Sequence, residues 1–149
     1  MATVSAQQLQ TGHVGLNVSD LGRSKKFYEE VLGFQVMGES QQEDRRYAFM
    51  GDGQKLVLAL WQQSEGPFDK SQPGLHHLSF QVESAEQVAI FQEKLRQLNV
   101  PLIYEGIVSH GAGMASGGIY FEDPDGIRLE IYSPTGAENA PAPTADAPT

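Results

Sequence analysis

Apolar residues recur along this chain with one of two periods, and the period changes in the same order twice. Val14, Leu16 and Val18 alternate with His13, Gly15 and Asn17, which predicts a strand over residues 12–18 with one apolar and one polar face. The spacing then widens to the helical stripe Phe27, Tyr28, Val31 and Leu32, with Asp20 as N-cap and Gly33 just past the C-terminus. Strands are predicted over 34–38, 45–50 and 55–61, the last with Leu56, Leu58 and Leu60 on one face. After a stretch containing Ser, Gly, Pro and Gln at 62–74, the order starts again. Leu78, Phe80 and Val82 alternate with His77, Ser79 and Gln81 in a strand over 76–82. Ser84 and Gln87 fit a capping box ahead of the stripe Val88, Phe91, Leu95 and Leu98. A strand over 100–107, a Gly-rich stretch at 109–117 and a strand–turn–strand over 118–132 complete the second round. The turn is Asp123-Pro124-Asp125-Gly126, with Pro where a fixed φ suits a reverse turn and Gly free to take positive φ. In the strand that follows, Ile127, Leu129 and Ile131 face one way, and Arg128, Glu130 and Tyr132 the other.

The segments that begin at His13 and His77 align without gaps, 64 positions apart. Superposing the turn glycines Gly53 and Gly126 places Val57 where Glu130 stands. The predicted fold class is therefore α+β: two tandem β-α-β-β-β units whose sheets pair into a concave, metal-binding cup. Unit one spans 11–61, a linker 62–74 and unit two 75–133, together one domain over 11–133. Residues 1–10 are expected to be flexible. Residues 134–149, dominated by Ala, Pro and Thr, are expected to form a disordered tail.

Composition narrows the function classes. At 149 residues and 40% hydrophobic content the chain can bury one sizeable core. A net charge of −9 argues against nucleic acid as a partner, and no apolar run is long enough to span a membrane. The N-terminus lacks the basic start and apolar core of a signal peptide, and with the absence of cysteine this points to a cytoplasmic protein. Having no cysteine, the chain has no disulfides and no thiolate metal ligands.

His13 and His77 hold equivalent places in a repeat, and Glu130 lies on the matching face. Two imidazoles and a carboxylate, with the remaining positions left to water or substrate, form the donor set of an open catalytic metal site. Such a set suits a divalent ion, whether Fe(II), Mn(II), Co(II), Ni(II) or Zn(II). His76 points away from His77 in strand phase and reads as a linker-end residue. The alternative is that all three are ordinary strand residues with hydrogen-bonded side chains.

The paired units, His13 in Gly-His-Val-Gly-Leu-Asn-Val, His77 in His-His-Leu-Ser-Phe and the closing Tyr-Phe-Glu-Asp-Pro-Asp-Gly-Ile-Arg-Leu-Glu together resemble the vicinal oxygen chelate superfamily. This group includes glyoxalase I, extradiol dioxygenases, fosfomycin resistance proteins, methylmalonyl-CoA epimerase and metal-free bleomycin resistance proteins. The resemblance covers residues 11–133. It implies a divalent metal on His13, His77 and Glu130, and a small-molecule substrate that chelates the metal through vicinal oxygens. Three ligands of this type, with Val57 unable to supply a fourth, are similar to the extradiol and fosfomycin enzymes. His110 and Tyr120 match the extradiol residues that flank the substrate, although the gap between them is one residue longer than usual. On this resemblance Fe(II) is the foremost metal and extradiol-like ring cleavage the foremost activity, with His110 and Tyr120 catalytic. One departure weighs against it: the fourth strand ends in Trp61-Gln62-Gln63, where extradiol enzymes place an acid/base histidine. A glyoxalase-like lyase or thiol transferase is the first alternative and a metal-free drug-binding protein the second. A homodimer is expected, because units in this superfamily pair within one chain or across two. His110 as an exposed loop residue and Tyr120 as a packing residue are the competing readings.

Overall fold

In the computed structural model, which describes residues 2–144, the chain divides into two compact units, Met1–Gly66 and Pro67–Thr149. The division falls inside the stretch predicted as a linker. The second part of that stretch belongs to the second unit, where the Phe68 amide donates to the Asp125 carbonyl at 2.8 Å and Lys70 pairs with Glu122 at 2.5 Å.

The first unit opens with a short 3-10 turn, Ala6–Gln8, and then runs β1 (Val14–Val18), α1 (Leu21–Leu32), β2 (Gln35–Gln42), β3 (Arg45–Gly51) and β4 (Leu56–Gln62). Its sheet has the order β1-β4-β3-β2, with β1 parallel to β4 and the other pairs antiparallel. The Asp20 carboxylate accepts the Arg23 amide at 3.0 Å, satisfying an otherwise orphan donor, and Gly33 ends α1 at φ 74°. The helix buries Leu21, Ser24, Tyr28 and Val31. Leu16, Val18, Ala48, Met50, Leu58 and Leu60 supply the rest of this unit's core.

The second unit repeats the plan: β5 (Leu78–Gln81), α2 (Ala85–Gln97), β6 (Val108–Ser109), β7 (Gly117–Glu122) and β8 (Arg128–Ser133), in the order β5-β8-β7-β6. Ser84 caps α2 by accepting the Gln87 amide at 3.3 Å. The reciprocal half of the predicted capping box is displaced: Gln87 accepts the Glu83 amide at 2.8 Å, one residue before the cap. Of the strand predicted over 100–107 a single bridge remains, Leu102 with Phe121, and β6 lies just beyond that range. Pro101 lacks the amide that a ladder needs, and Val108 and Ser109 take over the pairing.

Two further expectations change. His13 and His77 stand one residue before β1 and β5 rather than inside them. Residues 134–144, expected as part of a disordered tail, are built onto the second unit as far as Pro141. Ala137 is 2% exposed and its amide donates to the Ala115 carbonyl at 2.8 Å, while the Ser109 amide donates to the Pro141 carbonyl at 2.8 Å. The remainder of the predicted tail, 145–149, lies outside the described residues.

Sheet register also corrects the internal alignment. Val14 stands beside Leu58, and Leu78 beside Leu129, so the residue in the first unit that corresponds to Glu130 is Ala59. The turn glycines suggested Val57. Both glycines do adopt positive φ, Gly53 at 94° and Gly126 at 87°. Seven residues separate Met50 from its partner Leu58, and seven separate Phe121 from Leu129, but Gly53 is the third of its seven and Gly126 the fifth, so superposing the glycines displaces the count by two. A shift of two leaves the face unchanged, and Ala59, like Val57, offers no ligand.

A candidate active site around Glu130

Glu130 occupies the middle of β8, the strand flanked by β5 and β7, and is 2% exposed. The Asp-Pro-Asp-Gly turn sets its position. The Asp123 carboxylate accepts the amides of Asp125 and Ile127, each at 2.9 Å, and the Asp123 amide returns to the Ile127 carbonyl at 2.9 Å. These bonds lock the entry to β8, so that Ile127, Leu129 and Ile131 enter the core and Arg128 and Glu130 take the opposite face. That face was read as simply polar, yet Arg128 is only 4% exposed.

A buried carboxylate must find donors, and Glu130 has several. Ser79, its register partner on β5, donates to Oε1 at 2.7 Å. His110 Nε2 reaches Oε2 at 2.6 Å, and His77 Nε2 lies 3.5 Å from Oε1. Tyr120, its register partner on β7, gives a further hydrogen bond through its hydroxyl. Burial pushes the Glu130 carboxyl up, but the hydrogen bonds from Tyr120, His110 and Ser79 outweigh it and hold the group below the usual carboxylate range. Burial, reinforced by Glu130, pushes the Tyr120 phenol well up, so Tyr120 keeps its proton and acts as a donor.

His110 is anchored at its other nitrogen, with Nδ1 2.9 Å from the Ser116 hydroxyl and its amide 2.9 Å from the Ser116 carbonyl. A hydroxyl can donate or accept, so His110 can carry its proton on either nitrogen without losing this partner. Tyr120 packs edge-on against both Tyr104 and His77, with ring centroids 5.5 and 6.0 Å apart. The residues singled out as His110 and Tyr120 thus meet at one carboxylate.

His76 does not turn away from His77. Their Nδ1 atoms lie 2.8 Å apart, and Arg128 Nη1 is 3.3 Å from His76 Nε2. Arginine has no acceptor, so His76 must accept at Nε2 and carry its proton on Nδ1, which donates to His77 Nδ1. The neutral His77 ring then presents Nε2–H toward Glu130. Burial is the largest influence on His77 and lowers its pKa, against an opposing pull from Glu130. Neither Arg128 nor Ser79 was assigned a role from sequence. Their only signal was phase: both sit on the Glu130 face of adjacent strands.

His77 and Glu130 are brought together. His13, exposed ahead of β1, belongs to the other unit. Among the described residues no three His, Asp or Glu side chains are arranged as a metal cage, and the Glu130 oxygens are engaged by Ser79 and His110. The donor set itself, imidazole and carboxylate without thiolate, fits a borderline divalent ion. The matching face of the first unit carries different chemistry. Phe49 and Trp61 stand where Tyr120 and Tyr132 do, and with Tyr47 they form an aromatic cluster with centroids 4.5 to 6.2 Å apart. Arg45 lies over Tyr47 and Trp61, and a cavity of about 370 Å³ opens beside Gly15, Asn17 and Trp61.

Comparison with known proteins identifies the family to which these duplicated units belong. The profile of the Glyoxalase/Bleomycin resistance protein/Dioxygenase superfamily matches residues 10–131, and the chain belongs to that superfamily. It is 30% identical over 125 residues to a catechol-2,3-dioxygenase of Bacillus subtilis (strain 168), covering 82% of this chain but only 40% of that protein. It is 32% identical over 128 residues to a lactoylglutathione lyase of Escherichia coli O157:H7, covering 80% of this chain and 88% of the lyase. Among solved structures, a glyoxylase/bleomycin resistance protein/dioxygenase domain from Frankia sp. EAN1pec superposes with a TM-score of 0.70 at 26% identity, covering 84% of this chain and 97% of that one.

Proposed function

We propose that the chain is a divalent-metal-dependent enzyme acting on a small molecule through two neighbouring oxygens, foremost by extradiol-like ring cleavage of a catechol. The observation that carries this reading is the convergence of His110 and Tyr120 on the Glu130 carboxylate. There two donors, the His110 Nε2–H and the Tyr120 hydroxyl, meet the same carboxylate. His13, His77 and Glu130 would hold the metal, iron(II) before manganese, zinc, nickel or cobalt. When bound, the metal supplies Lewis acidity toward the adjacent substrate oxygens and, as iron(II), the redox chemistry of dioxygen. Tyr120, released from Glu130, donates its hydroxyl hydrogen to a substrate oxygen, stabilising charge that develops there. His110, once freed from Glu130 and with its own proton on Nδ1 against the Ser116 hydroxyl, takes a proton from a substrate hydroxyl at Nε2.

Dioxygen uptake by anaerobically purified, iron(II)-loaded protein tests this reading. A catechol should be consumed with uptake of one equivalent of gas, within error about unity. Uptake no faster than from iron alone would overturn ring cleavage.

A lyase or thiol-transferase reading has an observation of its own. Gln62, in the stretch where an acid/base histidine is missing, accepts the Leu21 amide at 2.8 Å and so serves the start of α1 rather than the substrate. Turnover of an α-ketoaldehyde–thiol adduct, with no oxygen uptake, would select it.

A further inference from the structure

We propose that Arg128, with His76 beside it, forms a subsite for a compact oxyanion, such as a carboxylate or phosphonate group on the small-molecule substrate. The link to a substrate rests on the functional reading of the Glu130 cluster, whereas the anion site itself stands on Arg128.

Arg128 is 4% exposed and sits on the same face of β8 as Glu130. Its guanidinium keeps its charge at any working pH and presents a fork of N–H donors with no acceptor. That fork is poorly used. Nη1 has a neutral imidazole at 3.3 Å, and Nε is buried with no partner. Among the described residues no carboxylate pairs with it. The two carboxylates that strand register would offer are engaged elsewhere. Glu122, directly across on β7, is turned to Lys70 at 2.5 Å. Glu130, two residues along, is held by Ser79, His110 and Tyr120.

A buried charge without a counter-ion is among the most destabilising features a fold can carry, and an apolar residue of similar volume is commonly neutral or better. A local rule broken without compensation, beside the candidate catalytic carboxylate, is the mark of a group kept for binding. The fork geometry selects the ligand class, because two parallel N–H donors match the two oxygens of a carboxylate or phosphonate. In a chain of net charge −9, only a local cation can hold such a group. Arg128 also acts electrostatically on both His77 and Tyr120, which places its charge beside the groups that would handle the substrate.

The test uses metal-free protein and no turnover, so it can fail independently of the oxygen-uptake experiment. Benzoate, inorganic phosphate and phenol are titrated while the melting midpoint and the nitrogen-detected side-chain signals of arginine are followed. Benzoate or phosphate should shift the Arg128 Nε–H signal and raise the midpoint by a few degrees, while phenol should do neither. A response to benzoate alone assigns an aryl carboxylate, and a response to phosphate assigns a phosphonate-like group. Arg128→Met should melt at or above the parent temperature yet bind the anion about tenfold more weakly or worse, and Arg128→Lys should recover only part of the loss. Arg96→Gln, on exposed α2, should leave binding intact. If Arg128→Met fails to fold, the wild-type titration still decides. No shift at Arg128 with either anion overturns the proposal. So does a lower melting point in Arg128→Met with anion affinity unchanged, which would make Arg128 a scaffold for His76.

Discussion

Tyr120 stands directly across from Glu130 in the β7–β8 pair, and its hydroxyl shares a hydrogen bond with that carboxylate. The ring is wedged between Tyr104 and His77, so packing alone holds it in place. Tyr120→Phe keeps the ring and removes one donor. Stability should change by about 1 kcal/mol or less, because Ser79 and His110 still serve Glu130, while turnover of the true substrate should fall roughly tenfold or more. Unaltered turnover, or a clear fall in melting temperature, would make Tyr120 a structural residue.

Metal binding should depend on His13, His77 and Glu130 together. Alanine at any one of them should abolish tight binding of a divalent ion in equilibrium dialysis. His76→Ala should cost no more than about 10–100-fold, the range for a residue that orients a ligand rather than binding itself. Equal losses at His76 and His77 would overturn the assignment of His77 as the ligand and His76 as its support.

Acid should weaken the second unit in a defined order. Burial lowers the folded pKa of His77 below its ordinary value of 6.5, so its contribution is complete above that pH and is lost as pH falls through the folded value. Glu130 follows: its folded pKa is below 4.5, and its stabilising bonds disappear as pH falls through that lower value. The wild-type melting temperature should therefore decline from about pH 6.5 downward. His77→Gln should flatten the upper part of the decline and Glu130→Gln the lower part. Parallel curves for all three proteins would show that neither group carries it.

Truncation after Ser133 should not be silent. It removes buried Ala137 and the Pro141 carbonyl that receives the Ser109 amide, one residue before His110. Losing a small buried side chain and two backbone hydrogen bonds should cost about 2–4 kcal/mol. His110 should loosen with it, visible as broadened imidazole signals. A truncated protein with unchanged melting temperature would show that the segment only rests on the surface.

Much of this was legible in the chain itself. The alternation of Val14, Leu16 and Val18, repeated at Leu78 and Phe80, is a local consequence of strand geometry, as are the stripes of α1 and α2 and the turn at Asp123-Pro124-Asp125-Gly126. Each depends on residues within a few positions of one another, so periodicity alone reveals the duplicated β-α-β-β-β plan and the face on which Glu130 sits. Register and side-chain partnership are different in kind. That Ala59 rather than Val57 corresponds to Glu130 depends on the register in which β1 pairs with β4 and β5 with β8. That His76 leans onto His77, and that Arg128 is buried without a counter-ion, depends on residues about fifty positions away in sequence. The docking of residues 137–141 depends on open amides and carbonyls at Ser109 and Ala115, which no composition count can anticipate. Sequence pattern determined which groups share a face. Only the folded chain decided which of them satisfy one another and which are left with unspent charge, because hydrogen bonds and ion pairs are settled by distance in space.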